Sequence, residues 1–134
     1  MENIGSRFAV WAPHILGALR IVTGFLFLQH GSAKLFGAPH IAMFDGLQII
    51  SLTGLAGILE LGGGTLVMLG LFTRPAAFLL SGMMAVAYFM AHAPGGFLPI
   101  LNQGELAVLY CFVFLYFSAV GGGSFSVDGA LRKA

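Results

Sequence analysis

Six ionisable side chains stand where an apolar chain rarely keeps them. Arg20, His30 and Lys34 lie within or at the edge of the stretch 15–36 (ILGALRIVTGFLFLQHGSAKLF), and Glu60 is the one charge of a second apolar run. His92 and Glu105 stand at the ends of a third and a fourth. An imidazole, an ammonium and two carboxyls are proton donors and acceptors, and a guanidinium is a fixed donor fork. An Arg or Lys at the centre of a membrane helix costs about 2.5–3.5 kcal/mol on insertion scales, so such groups persist where they meet partners or line a polar pocket. A set of this kind inside apolar helices is by default a candidate functional site. A single structural pair, Arg20 with Glu60, fixing helix register is the simpler alternative.

The elements that must hold these groups follow from hydropathy. Of 134 residues, 58% are hydrophobic and 8% charged, against roughly 25% charged in a soluble domain. The chain therefore reads as one integral membrane domain, residues 1–134, with the lipid bilayer as its first partner. A net charge of +1 offers no footprint for nucleic acid. Cys111 is the one cysteine, which excludes a CxxC thiol oxidoreductase, and it reads as a small apolar core residue. Arg20 and Lys34 within the first run, with three more hydrophobic runs behind it, argue against a cleaved signal peptide.

Four spans are expected, at about 13–36, 49–72, 75–92 and 104–120, with a tail over 121–134. The fold class is all-α, an integral membrane four-helix up-down antiparallel bundle. Residues 1–13 read as a short mixed tail with interfacial Trp11. Residues 37–47 form a loop by their Gly, Pro and Asp content, and 93–103 a second, uncharged and compatible with a re-entrant path. Gly121, Gly122 and Gly123 stop the last span. The tail at the start, the 73–75 turn and the tail at the end share one side and hold Arg7, Arg74, Arg132 and Lys133, against Lys34 opposite. The positive-inside rule then puts both termini in the cytoplasm and the protein in the inner membrane.

On the first helix one stripe collects the costly groups. At about 100° per residue, Lys34 falls roughly 40° from Arg20, Gly31 roughly 20° and His30 roughly 80°, with Thr23 and Phe27 in the same sector. Leu19, Val22 and Leu26 face the other way, toward lipid. By rise per residue, Glu60 sits about 18 Å from the cytoplasmic end and Arg20 about 10 Å. Arg20–Glu60 and His30–Glu60 are both plausible contacts, because helical side chains lean toward the N-terminus. An unpaired Glu60 is expected to be neutral. Lys34, His92 and Glu105 all fall near the outer helix ends, close to Asn102 and Gln103. They are expected to converge on a pocket floored by His30, with Lys34 and Glu105 paired.

The runs LRIVTGFLFLQHGSAKLFG, GLAGILELGGGTLVMLGLFTRPAA and NQGELAVLYCFVFLYFSAVGGGSFSVDGAL, in this order from about Leu16 to Leu131, resemble the DoxX family. The resemblance rests on the Arg, His-Gly and Lys of the opening helix, the mid-span Glu with its Leu-Phe-Thr-Arg turn, and the glycine-terminated last span. It implies a four-helix membrane protein of redox-linked activity. Members look like the small subunit of a thiosulfate:quinone oxidoreductase, quinol oxidase subunits, or membrane partners of a superoxide dismutase and a sulfurtransferase. Arg20, His30, Lys34, Glu60, Arg74, His92 and Glu105 match the family's polar positions.

The residues and the resemblance agree on a quinone or small aromatic ligand. Its headgroup needs two polar partners, a proton route and aromatic walls. His30, Lys34 and Glu60 would carry the proton chemistry. Arg20, His92, Glu105, Asn102, Phe27 and Tyr110, with Phe97, would bind the ligand. The chain carries no metal, flavin or haem motif and no covalent cofactor, so electrons would come from a partner protein or the substrate. Alternatives left open are a non-catalytic scaffold for a soluble redox partner, a solute or proton pathway, haem or metal held by His30, His92 and Glu105, and a homo-oligomer.

Overall fold

The computed structural model describes residues 4–134, so residues 1–3 of the first tail lie outside the described residues. The described chain is helical, with no strand: α1 (Ile4–Ala9), α2 (Ala12–Phe36), α3 (Leu52–Leu69), α4 (Thr73–Ala87), α5 (Pro99–Asn102), α6 (Glu105–Val120) and α7 (Val127–Leu131). Three helical segments are long and apolar enough to cross a membrane: Ala12–Phe36, Leu52–Leu69 and Thr73–Gly95. Glu105–Val120 is as apolar but has only 16 residues.

The ends of these helices are local chemistry. Pro13 sits in the first turn of α2, where its missing N–H leaves no bond unmade, and Gly37 closes that helix in the left-handed conformation (φ 63°). Ser51 caps α3, its Oγ accepting from Gly54 N at 3.0 Å, and Gly70 ends it with φ 69°. The second span is thus three residues shorter at each end than 49–72, because Ser51 and Gly70 are better stop signals than hydropathy. The third starts at Thr73, not Pro75, and continues past Ala87 through a π-helical turn, Tyr88–His92, and a 3-10 turn, Ala93–Gly95. Both tails contain short helices, α1 and α7.

Helix α2 packs along α3, α4 along α6, and α3 on α4. The α2–α3 seam is made by glycines seven residues apart on each side. A Cβ on Gly24 would meet the Met68 backbone at 2.5 Å, and one on Gly64 would meet Leu28 N at 2.9 Å. Small residues let helix backbones approach this closely, and in a membrane such packing replaces the hydrophobic drive that lipid does not supply. The α4–α6 pair is tied by Ser81, whose Oγ donates to the Cys111 carbonyl at 2.8 Å. Between the two pairs lies the core, with Phe27, Val67, Ala77, Leu80, Phe114 and Phe117 fully or nearly fully buried. Leu19, Val22 and Leu26 are exposed on the far face of α2, as its helical wheel requires.

Candidate functional site

The register of the glycine seam decides which polar groups meet. The Lys34 side chain leaves α2 beside Gly57, where a Cβ would stand 3.1 Å from Lys34 Cβ. Glu60 is three residues further along α3, about 4.5 Å by helical rise, within reach of a lysine chain. Lys34 Nζ donates to both carboxylate oxygens of Glu60, at 2.7 and 2.8 Å, and the two side chains are only 12% and 6% exposed. The pair is therefore a fork-like ammonium–carboxylate contact with little water around it. The 3-10 turn Ala42–Phe44 places the Phe44 ring 5.4 Å from Nζ, close enough for a cation–π attraction.

This corrects the expected partners. Glu60 is held neither by Arg20 nor by His30, and Lys34 pairs with Glu60 and not with Glu105. His30 is exposed on α2 and makes no hydrogen bond among the described residues, so it is not the floor of an enclosed pocket. It remains within Coulombic range of Glu60. Glu105 is exposed at the start of α6, where a carboxylate gains from the helix dipole.

At the same loop-bearing end, His92 and Asn102 do come together. His92 Nδ1 lies 3.1 Å from the Asn102 carbonyl. A carbonyl only accepts, so Nδ1 carries the proton and Nε2 of the neutral ring is left as an acceptor. Asn102 Nδ2 donates to Tyr88 Oη (3.2 Å) and to the Gly96 carbonyl (2.8 Å), and its Oδ1 accepts from Gly104 N at 2.8 Å. Tyr88 stacks on His92, with ring centroids 6.3 Å apart, and donates to the Phe97 carbonyl at 3.0 Å. The π-helical turn over 88–92 is what turns both rings toward the 96–104 loop. Phe97 itself is 89% exposed.

Arg20 belongs to the opposite end, and its surroundings are unlike the expected binding role. It is fully buried, and its guanidinium is enclosed by backbone carbonyls. Nε donates to Gly122 O at 2.7 Å, Nη1 to Val67 O and Met68 O at 2.8 and 2.5 Å, and Nη2 to Ser124 O and Phe125 O at 3.3 and 2.9 Å. Five N–H donors meet five acceptors, so none is left for a ligand. The side chain neutralises the carbonyl end of α3 and straps the segment 122–125 across it. Next to this knot, Asp128 accepts from Phe72 N and Thr73 N, both at 2.9 Å, capping α4 from the tail. Burial works against its charge. The hydrogen bonds from Thr73 and Phe72 and the nearby Arg132 outweigh that and hold the Asp128 carboxyl below its ordinary value.

Phe27 and Tyr110 pack edge to face at 5.1 Å, and Phe27 and Phe114 at 4.8 Å. Phe27 is 1% exposed, so its ring is core; Tyr110 is half-buried beside it. Among the described residues no His, Cys, Asp or Glu cluster could hold a metal ion. Two open grooves, of about 350 and 610 Å³, lie at the end that carries Arg20 and the tail, away from Lys34 and Glu60. Sequence reasoning missed Phe44, Tyr88 and Asp128. Of these, only Asp128 in the run GGGSFSVDGAL carried a readable signal, a helix-capping Ser-x-Asp at the start of α7.

The DoxX family model matches residues 15–93, a stretch that includes Arg20, His30, Lys34, Glu60, Arg74 and His92. An uncharacterized protein of Haemophilus influenzae is 44% identical over 128 residues, covering 92% of this chain and 95% of that protein. An uncharacterized membrane protein of Mycobacterium tuberculosis is 32% identical over 158 residues, covering 99% and 95%. No solved structure matches the chain.

Proposed function

The chain belongs to the DoxX family of membrane proteins, and from that premise we propose that it is the membrane subunit of a redox system that binds a quinone, a quinol or a related small aromatic at the Lys34–Glu60 pair. In this reading α2, α3, α4 and α6 are four up-down spans of one transmembrane domain in the inner membrane, with both termini cytoplasmic. The observation that carries it is the ion pair itself, a proton donor and a proton acceptor held together where water is scarce. Two of the three N–H bonds of Lys34 go to Glu60. The third has no partner among the described residues and is open to an acceptor oxygen of a ligand lying against Phe44. Glu60 would take up or supply the proton as that oxygen changes state, and exposed His30 would relay it outward. His92 Nε2, an acceptor at the same end, suits a ligand hydroxyl. Electrons would come from a partner protein or from the ligand.

The test is to purify the protein in mild detergent, extract it and identify bound quinones by mass spectrometry, then titrate a short-chain quinone analogue. The wild type should retain quinone, and Lys34→Met and Glu60→Gln should each weaken analogue binding by about tenfold or more while helix content is unchanged. A wild type that neither copurifies with quinone nor binds the analogue refutes the reading. A second reading, a non-catalytic scaffold for a soluble redox partner, has in its favour the exposed cations Arg7, Arg74, Arg132 and Lys133. Copurification of such a partner with a ligand-free membrane protein would select it.

A further inference from the structure

The reading above leaves unused the open groove between the α3–α4 turn and α7. It measures about 350 Å³ and is lined by Phe72, Thr73, Arg74, Asp128, Leu131 and Arg132 among others. Two guanidinium groups against one carboxylate leave its lining with a net charge of +1. Asp128 is half-buried, and both of its oxygens accept hydrogen bonds, from Phe72 N and Thr73 N. The start of α4 is therefore already capped, and an anion in the groove would be bound by the arginines. Arg74 spends Nη1 on the Ala119 carbonyl at 2.6 Å. That bond fixes its plane and leaves Nε and Nη2 without a hydrogen bond among the described residues. The Arg132 side chain makes none.

The rim of the groove is apolar. Phe72 is 64% and Leu131 65% exposed, and Phe78, further along α4, is 67% exposed. Planar guanidinium groups suit phosphate oxygens in paired hydrogen bonds, and exposed aromatic and aliphatic side chains beside cations at a span end suit the headgroup–acyl boundary. We propose that this groove is a binding site for the phosphate of an anionic phospholipid, with Arg74 and Arg132 on the phosphate and Phe72, Leu131 and Phe78 along the upper acyl chain. The apolar rim is what favours a lipid over a free phosphate ion, which would gain nothing from it.

Native mass spectrometry of the full chain, released from bilayers of equal phosphatidylglycerol and phosphatidylcholine, tests the proposal. The wild type should retain phosphatidylglycerol over phosphatidylcholine by about tenfold. Arg132→Gln should cut that preference several-fold, and Lys133→Gln, which removes the same charge from the other groove, should leave it intact. Three results would overturn the site: no lipid preference in the wild type, an unchanged preference in Arg132→Gln, or an equal fall in Lys133→Gln. If millimolar inorganic phosphate displaces the lipid fully, the groove is a free-anion site and the lipid assignment is wrong. Should Arg132→Gln melt earlier than the wild type in phosphatidylcholine alone, Arg132→Lys decides. Retained phosphatidylglycerol in that charge-preserving variant upholds the site, and its loss at an unchanged melting temperature overturns it.

Discussion

Removing one partner of the Lys34–Glu60 pair should cost stability by an amount that neutralisation limits. An ammonium or carboxylate left alone at this burial can shed its charge, and the cost then equals that of titrating it at the working pH. For Glu60 without Lys34, against an ordinary carboxyl pKa of about 4.3, the ceiling at pH 7 is about 3.7 kcal/mol. That ceiling falls in the range of about 3–5 kcal/mol measured for broken buried pairs. Membrane interhelical contacts measured by double-mutant cycles average nearer 0.6 kcal/mol, so a loss above about 2 kcal/mol would mark this pair as unusually desolvated. The loss in Lys34→Met should also depend on pH. The ceiling for Lys34→Met shrinks to about 1 kcal/mol at pH 5, where roughly a sixth of the unfolded carboxyls are already protonated. The double variant Lys34→Met/Glu60→Leu should recover most of the loss, since an apolar pair of similar volume leaves no charge behind. The assay is unfolding of purified protein in mixed micelles, followed by far-UV circular dichroism at pH 7 and pH 5. Equal losses for Lys34→Met at both pH values, or a double variant no more stable than the worse single, would refute the account.

Three further outcomes follow from contacts elsewhere. Arg20→Lys keeps the charge but loses the fork, and should cost at least about 3 kcal/mol, because charge-assisted hydrogen bonds contribute about 1.5–3 kcal/mol each; protease should then cut within 121–131 in the variant and spare the wild type. Gly31→Leu should prevent α2–α3 packing, since even a Cβ there would meet the Leu61 backbone, whereas Gly62→Ala and Gly82→Ala, which face open space, should leave the melting temperature within about 2 °C. Asp128→Asn should loosen the tail at neutral pH. Its carboxyl pKa is depressed in the folded state, so its contribution is complete above the unfolded value of about 3.9 and fades as pH falls through the folded one; a difference in tail proteolysis that is as large at pH 3 as at pH 7 would contradict this.

The apolar helices, the lipid-facing side of α2 and the interior placement of Arg20 and Glu60 were legible in the sequence, because hydropathy and the 3.6-residue period record burial directly. Partner choice was not. Depth counted from helix ends put Lys34 and Glu60 far apart, yet the glycine seam sets Lys34 against Gly57 and lets a long flexible chain cover the rest. Arg20 looked for a carboxylate among side chains, but its acceptors are backbone carbonyls, which every residue carries and no pattern of side-chain types reveals. His30 shares a sector with Lys34 on a helical wheel; which edge of that sector is covered depends on where the neighbouring helices stop, and that is a tertiary fact.

The carbonyl enclosure of Arg20 also sets an order of events in the making of the protein. The acceptor at Gly122 lies 102 residues beyond Arg20 in the chain, so a ribosome adding about 5–20 residues per second delivers it about 5–20 s later. Through that interval the guanidinium enters the bilayer without most of its acceptors, at a cost of about 2.5–3.5 kcal/mol, and the carbonyls of Val67 and Met68 relieve it only in part. The enclosure of Arg20 is thus completed only after the 122–125 segment emerges. A nascent chain halted before that point lacks three of the five carbonyls that enclose the guanidinium of its opening helix.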